Sequence, residues 1–493
     1  MRLRGPTSPE DGDGPLLLAI DNGSQSTKVA LVDAAGRVIC SARRPLRASQ
    51  HPQPGHVVHP DDDVWDSIVQ ACRSLFASYA GDPGRVVGVG LCTIRFCRAL
   101  MDADGLLVEP LLSWMDVRVG EPHRDPSGRV RRLAASSGYV TGRLTGRFAD
   151  TAANYQGLWP FDAARMDWTR DPQVHRATGM PRELLPELVQ PGERLGVVSE
   201  QASAATTIPA GIPVYATAND KAVEALGCGL RSPATVLLSL GTYIAAMTPG
   251  GSAAGHAAYW VNTAAVPGEY LYESGGIRRG MWTVGWYRDL VGLAPGPGEE
   301  LLDAEAAQVP RGSGGLMAVL DWLAPTEAPF RRGALLGFDG TQHRGAVHRA
   351  ILEGIALTMV EHLEAMESAL GRSFSTLMVS GGGARADLML QILAEVTGRP
   401  TRRTAVADGA LLGSAICAAV GAGVHPGFEE AVAAMVTPGP LIHPDPAAVA
   451  QYAQVRAVYS GLRAFTDPLF RWVAQAGDQD PIRTRDGRGV GEA

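Results

Sequence analysis

The 493-residue sequence is poor in the features that mark several function classes. No apolar run approaches the ~20 residues of a membrane-spanning helix. No basic block is present and the net charge is −7, which argues against nucleic acid or an anionic membrane as the main partner. The six cysteines (Cys40, Cys72, Cys92, Cys97, Cys228, Cys417) are scattered without a CxxC pair. That spacing excludes a zinc motif or a disulfide framework and fits reduced thiols in a cytoplasmic protein. Hydrophobic residues at 45% and charged residues at 19% describe an ordinary globular chain. Its length exceeds a single core, so two domains are expected. Residues 1–14 and 476–493 are polar and rich in Gly, Pro or charge, and are expected to be a disordered leader and tail.

What is present is a repeated hairpin. "IDNGSQSTKVALVD", from Ile20, leaves an apolar strand on Asp21, turns through Gly23, and sets hydroxyl and amide side chains before a second apolar strand. Backbone N–H groups of Gly23, Ser24 and Gln25 can cradle phosphate oxygens. Ser24, Ser26 and Thr27 add hydroxyls and Lys28 adds charge. Asp21 repels a phosphate directly but can hold a hydrated Mg²⁺ that bridges to one. A polar β-turn without a ligand fits the same residues. "ATVLLSLGTYIAAMT" repeats the pattern around Gly241 and Thr242. Two such hairpins suggest a duplicated domain with a cleft between the copies.

Each half continues as alternating strands and helices, an α/β pattern with a boundary near Arg231–Ala234. "DDVWDSIVQACRSLFASY" has helical apolar spacing, and "RVVGVGLCT" reads as a buried strand. "GIPVYATAND" ends a strand at Asp220 and "KAVEALGCGL" continues as a helix. Asp220 suits either an N-cap or a fixed carboxylate that takes a proton from an alcohol. "GAVHRAILEGIALTMVEHLEAMESAL" is one long helix closed by Gly371, and "ADLMLQILAEVTG" a shorter one closed by Gly398. "SGGGAR" is a turn whose glycines either simply turn the chain or let a flat ring approach the backbone. It matches neither GxGxxG nor a P-loop. Arg95 and Trp114, in "LCTIRFCRALMDADG" and "LLSWMDVR", are either surface packing or a wall for a polyhydroxylated ligand.

Taken together, "DNGSQSTK", "HPQPGHVVHPDDDVW", "RLTGRFADTAAN", "GIPVYATANDKAVEALG", "LSLGT", "SGGGARADLMLQILAEVTGRP" and "GALLGSAICAAVGAG" resemble the FGGY family of carbohydrate kinases in order and spacing. The resemblance runs from about Leu16 to about Gly423 and implies a two-domain actin/hexokinase-like ATPase fold. Each domain, 15–232 and 233–475, would carry a ribonuclease-H-like core, with the active site in the cleft. It implies ATP and Mg²⁺ as cofactors and a small sugar as partner, with a second copy of the chain as the one protein partner considered. By resemblance, Asp21, Gly23, Ser24, Gln25, Ser26 and Lys28 form the first phosphate loop, and Gly241 and Thr242 the second. Gly381, Gly382, Gly383 and Asp387 match the adenosine segment. Asp220 matches the catalytic base and, with Asp21, a place for Mg²⁺. Arg95, Trp114 and Asp116 fall on the substrate wall. Phe96 departs from the residues that xylulokinase-like and glycerol kinase members carry, as does "TAND" before the base. The expected activity is phosphorylation of a pentulose or hexulose. Glycerol or another polyol is the alternative acceptor, and a nucleotide-driven conformational switch the alternative class.

Overall fold

The computed structural model describes residues 14–405 and 408–478. The leader expectation lies outside the described residues except at Gly14, whose carbonyl accepts from Arg85. The tail expectation is corrected at its start, because a helix runs Leu462–Asp478, past residue 476. The remainder of the tail lies outside the described residues.

The N-terminal sheet is built from β1 (Leu16–Asn22), β2 (Ser26–Asp33), β3 (Val38–Pro45), β4 (Val86–Thr93), β5 (Arg194–Val197) and β6 (Pro213–Ala216), in spatial order β5-β6-β4-β1-β2-β3. β1, β2 and β3 form an antiparallel meander, while β4 and β6 add in parallel. The whole of β1 is buried, as a strand covered on both faces must be. Helix α1 (Asp63–Ser78) covers one face with Val64, Trp65, Ile68 and Leu75.

The C-terminal sheet repeats this plan. It contains β7 (Thr235–Leu240), β8 (Ile244–Gly250), β9 (Tyr259–Thr263), β10 (Tyr270–Ile277), β11 (Thr376–Ser380), β12 (Thr401–Thr404) and β13 (Pro438–Ile442), ordered β9-β10-β8-β7-β11-β12-β13. Here too the opening strands pair antiparallel, β7 with β8, β8 with β10 and β10 with the edge strand β9, and β11 and β12 follow in parallel. The duplication read from two hairpins is therefore a duplication of strand order. Among the helices that pack on this lobe, one runs Gly280–Leu290, the long one spans Arg344–Leu370, and a third spans Asp387–Thr397. Gly371 and Gly398 close the last two in the left-handed conformation, at φ 61° and 66°. "GGGAR" is a short 3₁₀ helix over Gly382–Arg385 rather than a plain turn.

Packing does not follow the chain boundary near residue 232. Helix α2 (Asp220–Gly227) belongs to the first half and helix α3 (Gly409–Gly421) to the second. Both lie in one shared core with Leu17 and Ala19 of β1 and Leu237 and Met247 of the second sheet. Glycine makes this approach possible. A Cβ on Gly90 of β4 would stand 2.0 Å from the Ser414 carbonyl oxygen. Cβ atoms on Gly227 and Gly413 would each stand 1.9 Å from backbone oxygen of the opposite helix, at Gly409 and Val223. Replacing Gly413 by Ala therefore forces two backbones apart. The expected cost is about 1–3 kcal/mol in chemical denaturation, with Gly285→Ala, whose Cβ meets open space inside a helix, as a control expected to be no less stable than the parent. A Gly413→Ala protein as stable as its parent would contradict this crossing.

Candidate active site

The first loop, residues 23–25, joins β1 to β2. Its Gly23 N–H is spent on the Ser26 carbonyl at 3.1 Å, so it is not a free phosphate donor as the sequence suggests. Ser24 and Gln25 are exposed, and among the described residues their N–H groups have no acceptor. The Ser26 hydroxyl is buried and accepts from Arg43 at 2.9 Å, and the Thr27 hydroxyl is engaged by Asn22 and Ser67. These two side chains brace the loop from behind. Asp21 and Lys28 are directly opposed in the β1–β2 register, which puts Nζ 3.6 Å from the Asp21 carboxylate. Lys28 also donates to Asp408 at 2.5 Å, and Asp408 caps α3 by accepting from Leu411 N–H. Burial, then the Asp408 charge, pushes the Asp21 carboxyl up to about 7, and Lys28 opposes that shift.

The second loop, residues 241–243, joins β7 to β8. The carbonyls of Gly241 and Thr242 are fixed by the first two N–H groups of the 280–290 helix, at 3.1 and 2.7 Å. Among the described residues the N–H groups of Gly241 and Thr242 have no acceptor. Gly381 follows β11 at φ 84°, ψ −176°, and a Cβ there would strike the Leu240 backbone at 2.7 Å. Gly383 is closed in by Met281 and Leu240, whereas a Cβ on Gly382 would meet nothing. Asp387 is an exposed first-turn residue paired with Arg403 at 2.5 Å.

Asp220 is near enough to the first loop for its charge to act on Asp21. It is the first residue of α2, and the N-cap is Asn219, whose side chain accepts from Ala222 N–H. The capping role is thus filled by its neighbour. The Asp220 Oδ1 accepts the Lys221 N–H at 2.9 Å, and its Oδ2 has no hydrogen bond among the described residues. Burial pushes its carboxyl above the ordinary value, and Arg95 and Lys221 oppose the shift. Arg95 Nε lies 3.6 Å from the Asp220 carboxylate. Trp114 is half exposed, on the segment whose backbone meets Cys97 two residues beyond Arg95. Asp116 is not free to meet a ligand. Each of its oxygens takes two hydrogen bonds, from Val57 N–H and from the backbone and guanidinium of Arg118.

Models of the FGGY carbohydrate-kinase domains match residues 16–124 and 119–227 with the N-terminal domain and residues 236–422 with the C-terminal domain. The chain belongs to the FGGY family of carbohydrate kinases. It is 40% identical over 468 residues to the Escherichia coli (strain K12) protein named "Uncharacterized sugar kinase YgcE", covering 92% of this chain and 94% of that one. It is 27% identical over 459 residues to a glycerol kinase of Geobacter sp. (strain M21), covering 83% of this chain and 90% of that one. Its fold superposes on the xylulose kinase of Rhodospirillum rubrum with a TM-score of 0.79 at 25% identity, covering 92% and 100% of the two chains. Sugar kinases of this family use ATP, so the chain is an ATP-dependent enzyme rather than a nucleotide-driven switch.

Residues outside the sequence expectations complete the kinase cleft. The sequence contains two lysines in all, Lys28 and Lys221, and both are here. Lys221 donates to Glu224 at 3.0 Å and to Ser239 at 2.6 Å. Glu224 also accepts from Ser239 and Ser380, so one α2 carboxylate ties the C-terminal ends of β7 and β11 to the base helix. Burial works to raise the Glu224 carboxyl, but Lys221 and the two hydroxyls outweigh it and hold it below the ordinary range. Stability from Glu224 is therefore present above about 4.5, its unfolded value, and is lost as pH falls through the lower folded value. Lys221→Met is expected to cost about 3–5 kcal/mol at pH 7, by leaving a buried charge unpaired. That deficit shrinks as acid protonates Glu224 in the variant. Denaturation curves at pH 7 and near pH 4 test this, and a deficit that does not shrink with acid contradicts the assignment.

Proposed function

We propose that this kinase transfers the γ-phosphoryl group of ATP to a hydroxyl of a pentulose or hexulose such as xylulose or ribulose, giving a sugar phosphate and ADP. The reading is carried by one observation: the carboxylate of Asp220, the first residue of α2 and not its N-cap, has the Arg95 guanidinium 3.6 Å away. Asp220 would orient the acceptor hydroxyl and take its proton late in the transfer. Arg95 would hold neighbouring hydroxyls, and the exposed Trp114 would face sugar C–H groups. The N–H groups of Ser24 and Gln25 from one loop, and of Gly241 and Thr242 from the other, would hold the phosphates. Gly381, Gly382 and Gly383 would admit the adenosine. The approach of the two lobes would exclude water as a competing acceptor.

Mg²⁺ fits the donor set. Among the described residues no three His, Cys, Asp or Glu side chains are grouped to hold a bare metal ion. A hydrated Mg²⁺ needs less, one or two carboxylates plus phosphate oxygens. Asp21 through water, and Asp220, would supply them. When bound, Mg-ATP supplies the phosphoryl group and neutralises charge on it.

A polyol acceptor is the second reading. Relatives named glycerol kinase support it, as does Arg95, whereas Phe96 departs from the glycerol-kinase residue. ADP release measured with Mg-ATP and a panel of ketoses, alditols and glycerol separates the two. Asp220→Asn is expected to lower turnover by ~10²-fold or more while calorimetry still detects ATP binding. Near-parental turnover in that variant would remove Asp220 as the base.

A further inference from the structure

The acceptor wall is made by the N-terminal half, but its orientation is imposed from the other lobe. Glu273, in the middle of β10, has a fully buried side chain. Its carboxylate accepts both terminal nitrogens of Arg95, at 2.8 and 3.0 Å, and the Asn262 side-chain amide at 2.7 Å. Trp260 is the direct cross-strand partner of Glu273 on β9, and its ring lies 4.9 Å from the Arg95 guanidinium carbon. Phe96, held at φ 64°, packs its ring 6.0 Å from Trp260. A side chain as bulky as phenylalanine takes that backbone conformation only where its surroundings impose it. Two parallel hydrogen bonds fix the guanidinium plane, and the remaining Nε edge faces Asp220.

We propose that Glu273 is a positioning residue of the acceptor site. Held by Asn262 and Trp260, it aims Arg95 at the sugar and at Asp220, so the acceptor pocket is complete only when the C-terminal lobe is seated on it. This rests on Arg95 and Asp220 being the acceptor-site residues. It makes acceptor recognition depend on lobe contact, so a sugar is held correctly only in the arrangement that also aligns the phosphates. A buried ion pair that merely joined the lobes would act on both substrates alike.

The test is Glu273→Gln, which keeps the shape and removes the charge. With D-xylulose as first acceptor, or the panel compound turned over fastest, its KM is expected to rise ~10-fold or more while the KM for ATP stays within about twofold. Asn262→Ala should move the acceptor KM in the same direction by less. In an Arg95→Met background, Glu273→Gln should add nothing further. Equal changes in both KM values, no change in either, or additivity in the double variant would overturn the proposal. A second arm needs no acceptor. Phenylglyoxal labelling of Arg95, followed by peptide mass spectrometry, is expected to run ~5-fold faster in Glu273→Gln, because the fork that holds the guanidinium is weakened. Equal labelling overturns the proposal. If the parent protein phosphorylates no compound in the panel, the ketose and polyol readings fail, and the labelling arm still decides whether Glu273 fixes Arg95.

Discussion

Two helices that meet without side chains between them hold this kinase together. α2 comes from the first half of the chain and α3 from the second, and Gly227, Gly409 and Gly413 let their backbones touch. α3 also lies on the first sheet, where Gly90 of β4 gives it room. The lobes therefore share a core rather than facing each other across a hinge of loops. Separating the lobes would expose Leu17, Ala19, Val223 and Leu412 together. The site inherits its rigidity from the same contact. α2 begins at Asp220, and α3 is capped by Asp408, which holds Lys28 beside Asp21.

Much of this was legible in the sequence because it is local. Hairpins, glycine-closed helices and the position of Asp220 between strand and helix depend on neighbours within a few residues. The two glycine turns announced both loops, and the order of motifs announced the family. The N-cap ambiguity at Asp220 could not be resolved from spacing, because Asn219 and Asp220 are both good caps and the local geometry decides which one is used. Ser26 and Asp116 show a different limit. Each looks free in sequence, yet Arg43 and Arg118 engage them, and such pairing depends on which side of a strand or turn the residue faces.

The second half of the acceptor site was out of reach for a simpler reason. Glu273 is 178 residues from Arg95, and nothing nearby in sequence signals that meeting. A faint mark exists in "YLYESGG", where an acidic residue interrupts an apolar strand. A charge placed there must find a partner or be expelled from the core. Lys28 and Lys221 carry a comparable mark. In a chain that uses arginine for every other basic side chain, lysine is kept at two cleft positions. Both amines sit among carboxylates and hydroxyls at 2.5 to 3.6 Å, where a compact ammonium reaches several oxygens that a planar fork would not.

Charge balance along the cleft then constrains what can enter. Lys28, Lys221 and Arg95 are opposed by Asp21, Asp408, Asp220, Glu224 and Glu273, so carboxylates outnumber cations. Each of these cations already has a carboxylate partner. A polyphosphate arriving alone would meet these carboxylates, whereas Arg43, beside the first loop, donates to the Ser26 hydroxyl and pairs with no carboxylate among the described residues. In the proposed reading, the phosphates would be held by the loop N–H groups, by Arg43 and by positive charge that the nucleotide brings with it. The same balance bears on the acceptor. A neutral polyol can exchange hydrogen bonds with Asp220 and the Nε edge of Arg95 without disturbing the pairs, whereas an acidic sugar would compete with Glu273 for the guanidinium. In the proposed reading, the pairing that orients Arg95 would thus also bias the pocket toward uncharged sugars.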